Sequence, residues 1–247
     1  MYIATLNFSG VINGGSISRY LPVFDYIKSK KKIAGLILII NSGGGDANAT
    51  EILYNKLLDV SKSKPVYALI EGIGASGAYW LACAARKIYA MSTSIVGSIG
   101  VISISPDVSD FLENLGIKMR INKIGKYKDI NSPFRHMNED ENEIFKELLN
   151  DVFLRFREEV KKRRNLTDDE INDTATGLVF SARQGLERKL IDGIGTFDTV
   201  LNAIKNDNNI KTAKIKNLTP RKPFVQRITG MAFDASLIRF LIVNAII

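Results

Sequence analysis

The chain has 247 residues, 45% of them hydrophobic, enough to close a core as one large domain or two small ones, so disorder is excluded. Its 34 basic and 26 acidic residues give a net charge of +8, but they are spread along the whole length. The charge therefore reads as a solvated surface, and no nucleic acid is expected as a partner. A single cysteine, Cys83, excludes an internal disulfide, and a single histidine, His136, excludes a metal site built on several histidines.

The opening "MYIATLNFSGVI" alternates as a first strand does and lacks the basic leader and apolar core of a secretory signal. "IAGLILIIN", residues 33 to 41, is a continuous β-branched run, as expected of a strand buried on both faces of a parallel sheet. "ATEILYNKLLDVSK" has helical spacing at Ile52, Leu53, Leu57 and Leu58, and "KPVYALIEG" reads as the next buried strand. Residues 76 to 87 read as a helix, "KIYAMSTSIVGSIGVISI" as strand-rich, and "DVSDFLENLG" as a short helix closed by Gly116. Such alternation implies right-handed crossovers within one sheet.

From Asn138 the texture changes. Asn138 and Glu141 form a capping-box pattern, and Ile144, Phe145, Leu148, Leu149, Val152, Phe153, Phe156 and Val160 make one apolar stripe of a long helix. It ends in "KKRRN", the charge that a helix C-terminus favours. Shorter helices are expected at 181 to 190 and 197 to 205. No internal repeat is evident, so residues 1 to 210 are expected to form one domain, and 211 to 247 a basic linker and apolar tail. That tail is broken by Asp234 and Arg239, and its apolar run falls short of the roughly 20 residues of a spanning helix. It reads as a surface-seeking or partner-seeking segment.

Two glycine-rich loops follow the two buried strands: "NSGGGDA" at 41 to 47 and "GIGASGAYW" at 72 to 80. In open α/β sheets both would reach one crevice at the strands' carboxyl ends. The first loop lacks the lysine and length of a Walker phosphate loop, but its glycines offer backbone N–H groups that a substrate can approach closely. The second places Ser76 at the start of a helix. There Ser76 is either a nucleophile whose oxyanion would meet the Gly77 N–H and an N–H of Gly44 or Gly45, or merely the helix cap. A base is needed for the first reading. His136 reads as an exposed loop histidine beside Arg135, and "INKIGKYKDINSPFR" offers Lys123, Lys126 and Lys128. A lysine serves as base only when neutral, which requires lowering its pKa from about 10.4 to about 7 or 8 by burial.

"INSGGGDANATEI", "GIGASGAYWLACAA", "TSIVGSIGV" and "GKYKDINSPFR", in this order, resemble signal peptide peptidase A, a family of membrane-associated serine peptidases. "GLVFSARQGLERKLIDGIGTFD" resembles the family's closing segment, so the likeness runs from about residue 2 to 206. The resemblance implies an α/β fold of the ClpP/crotonase type, with repeated β-β-α units, a long helix and a C-terminal helical segment. It also implies a Ser-Lys dyad of Ser76 as nucleophile and Lys128 as base, with Ser98 orienting the lysine and Gly77 and Gly45 supplying the oxyanion hole. No cofactor or metal is implied. The implied substrates are remnant signal peptides and other hydrophobic peptide segments. The implied assembly is a homo-oligomeric ring or dome in which the lysine of one protomer reaches the serine of the next, at a membrane surface that the tail could contact. The chain departs from the family pattern at Gly43, where proline is usual, and at Ala78 and Trp80, in place of Gly and Tyr. Trp80 is expected to reshape the pocket wall. Three rival readings are a crotonase-type acyl-CoA enzyme, for which Glu71 is the one carboxylate near the serine loop, a non-catalytic scaffold that has kept the fold for assembly or binding, and a related endopeptidase with another target, such as phage head maturation or cleavage of a stomatin-like membrane protein.

Overall fold

The computed structural model describes residues 1 to 220. It is an α/β fold centred on an eight-stranded sheet. The first half lays down β1 (Tyr2–Ser9), α1 (Gly14–Ser29), β2 (Ile33–Ser42), α2 (Ala47–Ser63), β3 (Val66–Ala75) and α3 (Gly77–Ala82). These are followed by β4 (Lys87–Ala90), β5 (Ile95–Gly97), α4 (Ser109–Asn114) and the long α5 (Glu139–Arg164). The chain closes with α6 (Asp168–Thr174), β6 (Val179–Ser181), α7 (Ala182–Glu187), β7 (Gly193–Ile194), α8 (Phe197–Asp207) and β8 (Lys214–Asn217). Along the sheet the order is β6-β5-β3-β2-β1-β8, with β4 beside β3 and β7 beside β4. All pairings are parallel except β5 with β6.

β2 is apolar throughout because both of its faces are covered. Leu36, Leu38 and Ile40 join the larger core, which takes in Leu53, Leu57 and Val60 of α2 and Ala78 to Ala82 of α3. Ile37 faces the other way, with Tyr67 and Leu69 of β3 and Val200, Leu201 and Ile204 of α8. Alternation along a strand thus divides one apolar run between two helical layers.

Three elements differ from the sequence expectation. The apolar stripe of α5 is covered only in its C-terminal half: Phe156 and Val160 are buried, whereas Ile144 and Leu148 are exposed. The body of the chain reaches no further along this helix, about 39 Å long at 1.5 Å per residue. The stretch expected as a basic linker supplies β8 at the sheet edge, paired with β1 from Tyr2↔Lys214 to Thr5↔Asn217. Trp80 is not a wall of the cavity at the serine loop; it is buried and stacked on Phe156 of α5 at 4.9 Å. The expected apolar tail, from 221 onward, lies outside the described residues. Among those residues, no helix is long and apolar enough to cross a membrane.

Candidate active site

The carboxyl ends of β2, β3 and β5 converge, because Ser42 pairs with Gly74 and Ala75 pairs with Gly97. At the end of β3 the Ser76 N–H donates to the Gly97 carbonyl at 2.8 Å, and Ser76 turns into a left-handed conformation with φ 53° and ψ −129°. Its carbonyl accepts the first helical bond, from Trp80 N at 3.0 Å, but its hydroxyl makes no capping hydrogen bond. An ordinary serine cap has an extended backbone and spends its oxygen on the helix. The capping alternative is therefore excluded, and a non-glycine residue at positive φ costs on the order of 1–3 kcal/mol that surrounding structure must hold.

Ser98 also has positive φ, 51°, and its N–H donates to Leu178 O at 2.7 Å. Ser76 and Ser98 line one open cavity of about 560 Å³ with Ile99, Val101, Lys146 and Phe153. Its walls are largely aliphatic and aromatic, from the β5 exit and from α5.

The glycine loop is pinned from two sides. Ser42 Oγ donates to Gly10 O at 2.6 Å and accepts the Gly44 N–H at 3.1 Å. Ile12 N donates to Gly44 O, and Asp46 N donates to Ile12 O, both at 2.9 Å. Gly44, at φ 99°, faces the serine loop so closely that a Cβ there would lie 2.7 Å from Gly77 N and 2.9 Å from Ser76 Cβ. A Cβ at Gly45 would lie 2.2 Å from Ile12 O. Glycine is required at both positions by this contact. The Gly44 amide is committed to Ser42, whereas the Gly45 amide makes no hydrogen bond among the described residues. The Gly77 N–H, first in its helix, has no intrahelical acceptor.

The lysine segment stands elsewhere. Lys123 is ion-paired with Asp129, and Lys126 Nζ lies 4.7 Å from the centre of the Tyr127 ring. Lys128 is exposed, and its amine makes no hydrogen bond or ion pair among the described residues. Within one chain it does not line the Ser76 cavity; the amine that does is Lys146, which is exposed and paired with Glu143 at 2.7 Å. The structure thus places Ser76 and Ser98 on one cavity and Gly44, the neighbour of Gly45, against Ser76 and Gly77, while Lys128 does not line that cavity. His136 does not line the cavity either; it is held between Asp107 at 2.8 Å and Asp110 at 3.1 Å, and these carboxylates raise its pKa. Cys83 is buried, and burial pushes its thiol up to about 12, so it is not a nucleophile.

Sequence reasoning missed three supporting residues. Ser42 lies inside the quoted loop and could have been found there. Ile12 has no local signal, since its pairing with the loop is purely spatial. Thr50 is buried, and a Cβ on Gly77 would come within 2.4 Å of its Oγ1, so this side chain leaves room only for glycine after Ser76.

The profile of Peptidase family S49 matches residues 59 to 211, which contain the serine loop, Ser98 and the lysine segment. The chain belongs to peptidase family S49. A Synechocystis sp. relative with a provisional protease name is 32% identical over 92% of this chain and 83% of its own length. A Methanocaldococcus jannaschii relative, also provisionally named a protease, is 34% identical over 79% of this chain and 63% of its own length. A relative named chloroplastic serine protease SPPA, from Arabidopsis thaliana, is 28% identical over 76% of this chain but only 28% of its own length. The chain therefore spans less than two thirds of the length of two of these three relatives.

Proposed function

We propose that the protein is a serine endopeptidase with a Ser76–Lys128 dyad, acting at a membrane surface on remnant signal peptides or other hydrophobic peptide segments. The observation that carries this reading is the strained, uncapped Ser76 lining an apolar cavity, with the Gly77 amide next to it in the chain and the glycine loop packed against it at Gly44. In the proposed reaction neutral Lys128 takes the Ser76 proton and the hydroxyl oxygen attacks the scissile carbonyl. The amides of Gly45 and Gly77 hold the oxyanion, each being worth roughly 3 kcal/mol of barrier. Lys128 then protonates the leaving amine, and water hydrolyses the acyl-enzyme. Ser98 would orient the amine.

Because Lys128 is exposed in the single chain, the dyad requires a second protomer to bring an amine to each serine and to exclude water from it. A ring or dome of identical protomers satisfies both demands. The family match and the protease names of the relatives support the chemistry; the apolar lining supports a hydrophobic substrate. Peptidase assays on Ser76→Ala, Lys128→Ala and Lys146→Ala test the reading. The first two are expected to lose more than about a thousandfold in kcat, and the third to retain most activity. Full activity in Lys128→Ala, with loss in Lys146→Ala, would instead place the base on α5 of the same chain.

A further inference from the structure

The residue immediately after Lys128 is a heavily bonded carboxylate. Asp129 accepts Arg135 Nε at 2.8 Å and Arg135 Nη2 at 2.9 Å, and is also ion-paired with Lys123. Arg135 Nη2 reaches the Asp129 carbonyl as well, at 3.2 Å. The same guanidinium grips Glu141 through Nη1 at 2.7 Å and Nη2 at 2.6 Å, and donates to His136 O at 3.0 Å. Glu141 in turn caps the Asn138 N–H at the start of α5. The carboxylates are largely shielded, with side chains 10% and 5% exposed for Asp129 and Glu141. A surface ion pair contributes little, but a bidentate fork shared by two shielded carboxylates fixes position strongly.

Resting on the Ser76–Lys128 reading, we infer that Arg135 is a positioning residue for the base, with two effects. Its fork fastens the 125 to 132 turn, and hence Lys128, to the first turn of α5. It also occupies the Asp129 carboxylate, so that the carboxylate cannot fold back and pair with the neighbouring Lys128 amine. The second effect matters chemically. An amine paired with a free carboxylate holds its proton, and a protonated lysine cannot act as base. The charged groups of the turn that carries Lys128 and of the helix start it is tied to are Lys123, Lys126, Asp129, Arg135, Asp140 and Glu141, and the Asp129 carboxyl sits well below the usual carboxylate range because of the Arg135 and Lys123 bonds. The far end of the same helix is bolted to the serine's own helix. Arg163 donates to Cys83 O at 2.8 Å and to Ala85 O at 3.3 Å, just past α3. One rigid rod therefore connects the base-bearing turn of a protomer to its nucleophile-bearing helix.

The pH dependence of kcat/KM in the full chain tests this, using Arg135→Gln, Arg135→Gln/Asp129→Asn, Arg135→Lys and Lys123→Gln. Arg135→Gln is expected to move the acid limb up by about one pH unit or more, with activity near neutrality falling about tenfold per unit. Adding Asp129→Asn is expected to return the limb towards the wild-type position, because no carboxylate is left to pair with the amine. Arg135→Lys keeps the charge but loses the fork, so kcat is expected to fall with the limb little moved. Lys123→Gln, which removes only the more exposed partner, is expected to give a smaller upward shift and keeps the test usable if Arg135 variants do not fold. An unchanged limb in Arg135→Gln and Lys123→Gln overturns the inference while leaving the dyad standing. Full activity in Lys128→Ala overturns the dyad and this inference with it.

Discussion

Two regions of this chain are held together by different physics. β2 alone buries Ile33, Leu36, Ile37, Leu38 and Ile40, at 2% exposure or less. From Gly100 to Asp140, by contrast, no residue is buried. Ile102, Ile104, Phe111, Leu115 and Ile124 of this arm are exposed, Ile124 at 99%. The sheet and its helices are stabilised by apolar burial, whereas the arm is shaped by turns, by the Arg135 fork and by the His136 bridge between Asp107 and Asp110. The lesson is that the proposed nucleophile sits in the self-sufficient region and the proposed base in the one that a single chain leaves bare. Apolar side chains exposed in such number mark a surface meant to be covered.

The contrast can be broken most severely in the body. Leu57→Ala removes a fully buried side chain of α2 and is expected to cost about 2–5 kcal/mol, read as a fall in denaturation midpoint. The arm is expected to respond differently. Phe111→Ser with Ile124→Ser should leave the stability of the isolated chain within about 0.5 kcal/mol per site, yet abolish higher assembly in sedimentation and peptidase activity with it. If this pair destabilises the chain as Leu57→Ala does, the arm is packed in a way that the contrast denies. The smallest effect concerns pH. His136 has its pKa raised above the ordinary value of about 6.5 by Asp107 and Asp110, whereas Asp107 is held at about 2, first by Ser109 and then by His136. The bridge is therefore fully present below about pH 6.5 and is lost as pH rises through the raised histidine value. Amide exchange in residues 107 to 115, corrected for its intrinsic pH dependence, should quicken above that point in the wild type and show no such step in His136→Gln.

The same division explains what could be read from the residues. The buried strand of β2, the α2 periodicity and the Asn138–Glu141 capping box are local signals, and the structure contains each of them. α1 carried no clear signal, because it opens on two glycines and contains Pro22, and only its Asn13–Ser16 box marks its start. β8 was unreadable because a short lysine-rich stretch becomes a strand only when β1 offers an edge. At the site, Ser76 and the glycine loop were legible because small residues in tight turns are rare enough to stand out. The Ile12 clamp, the Ser42 anchor and the Arg135 fork were not, since each depends on contacts that folding creates. The exposure of half the α5 stripe was equally invisible: periodicity tells which side of a helix is apolar but not what meets it.

One consequence follows from the register of β3 and β5. Ser76 and Ser98 extend from adjacent strands paired through Ala75 and Gly97, and the Ser76 N–H bond to Gly97 O ties the two strand ends together. Their spacing is insulated from motion elsewhere, and the amine's approach becomes the single adjustable coordinate. On the proposed shared dyad, activity would rise with concentration as protomers meet.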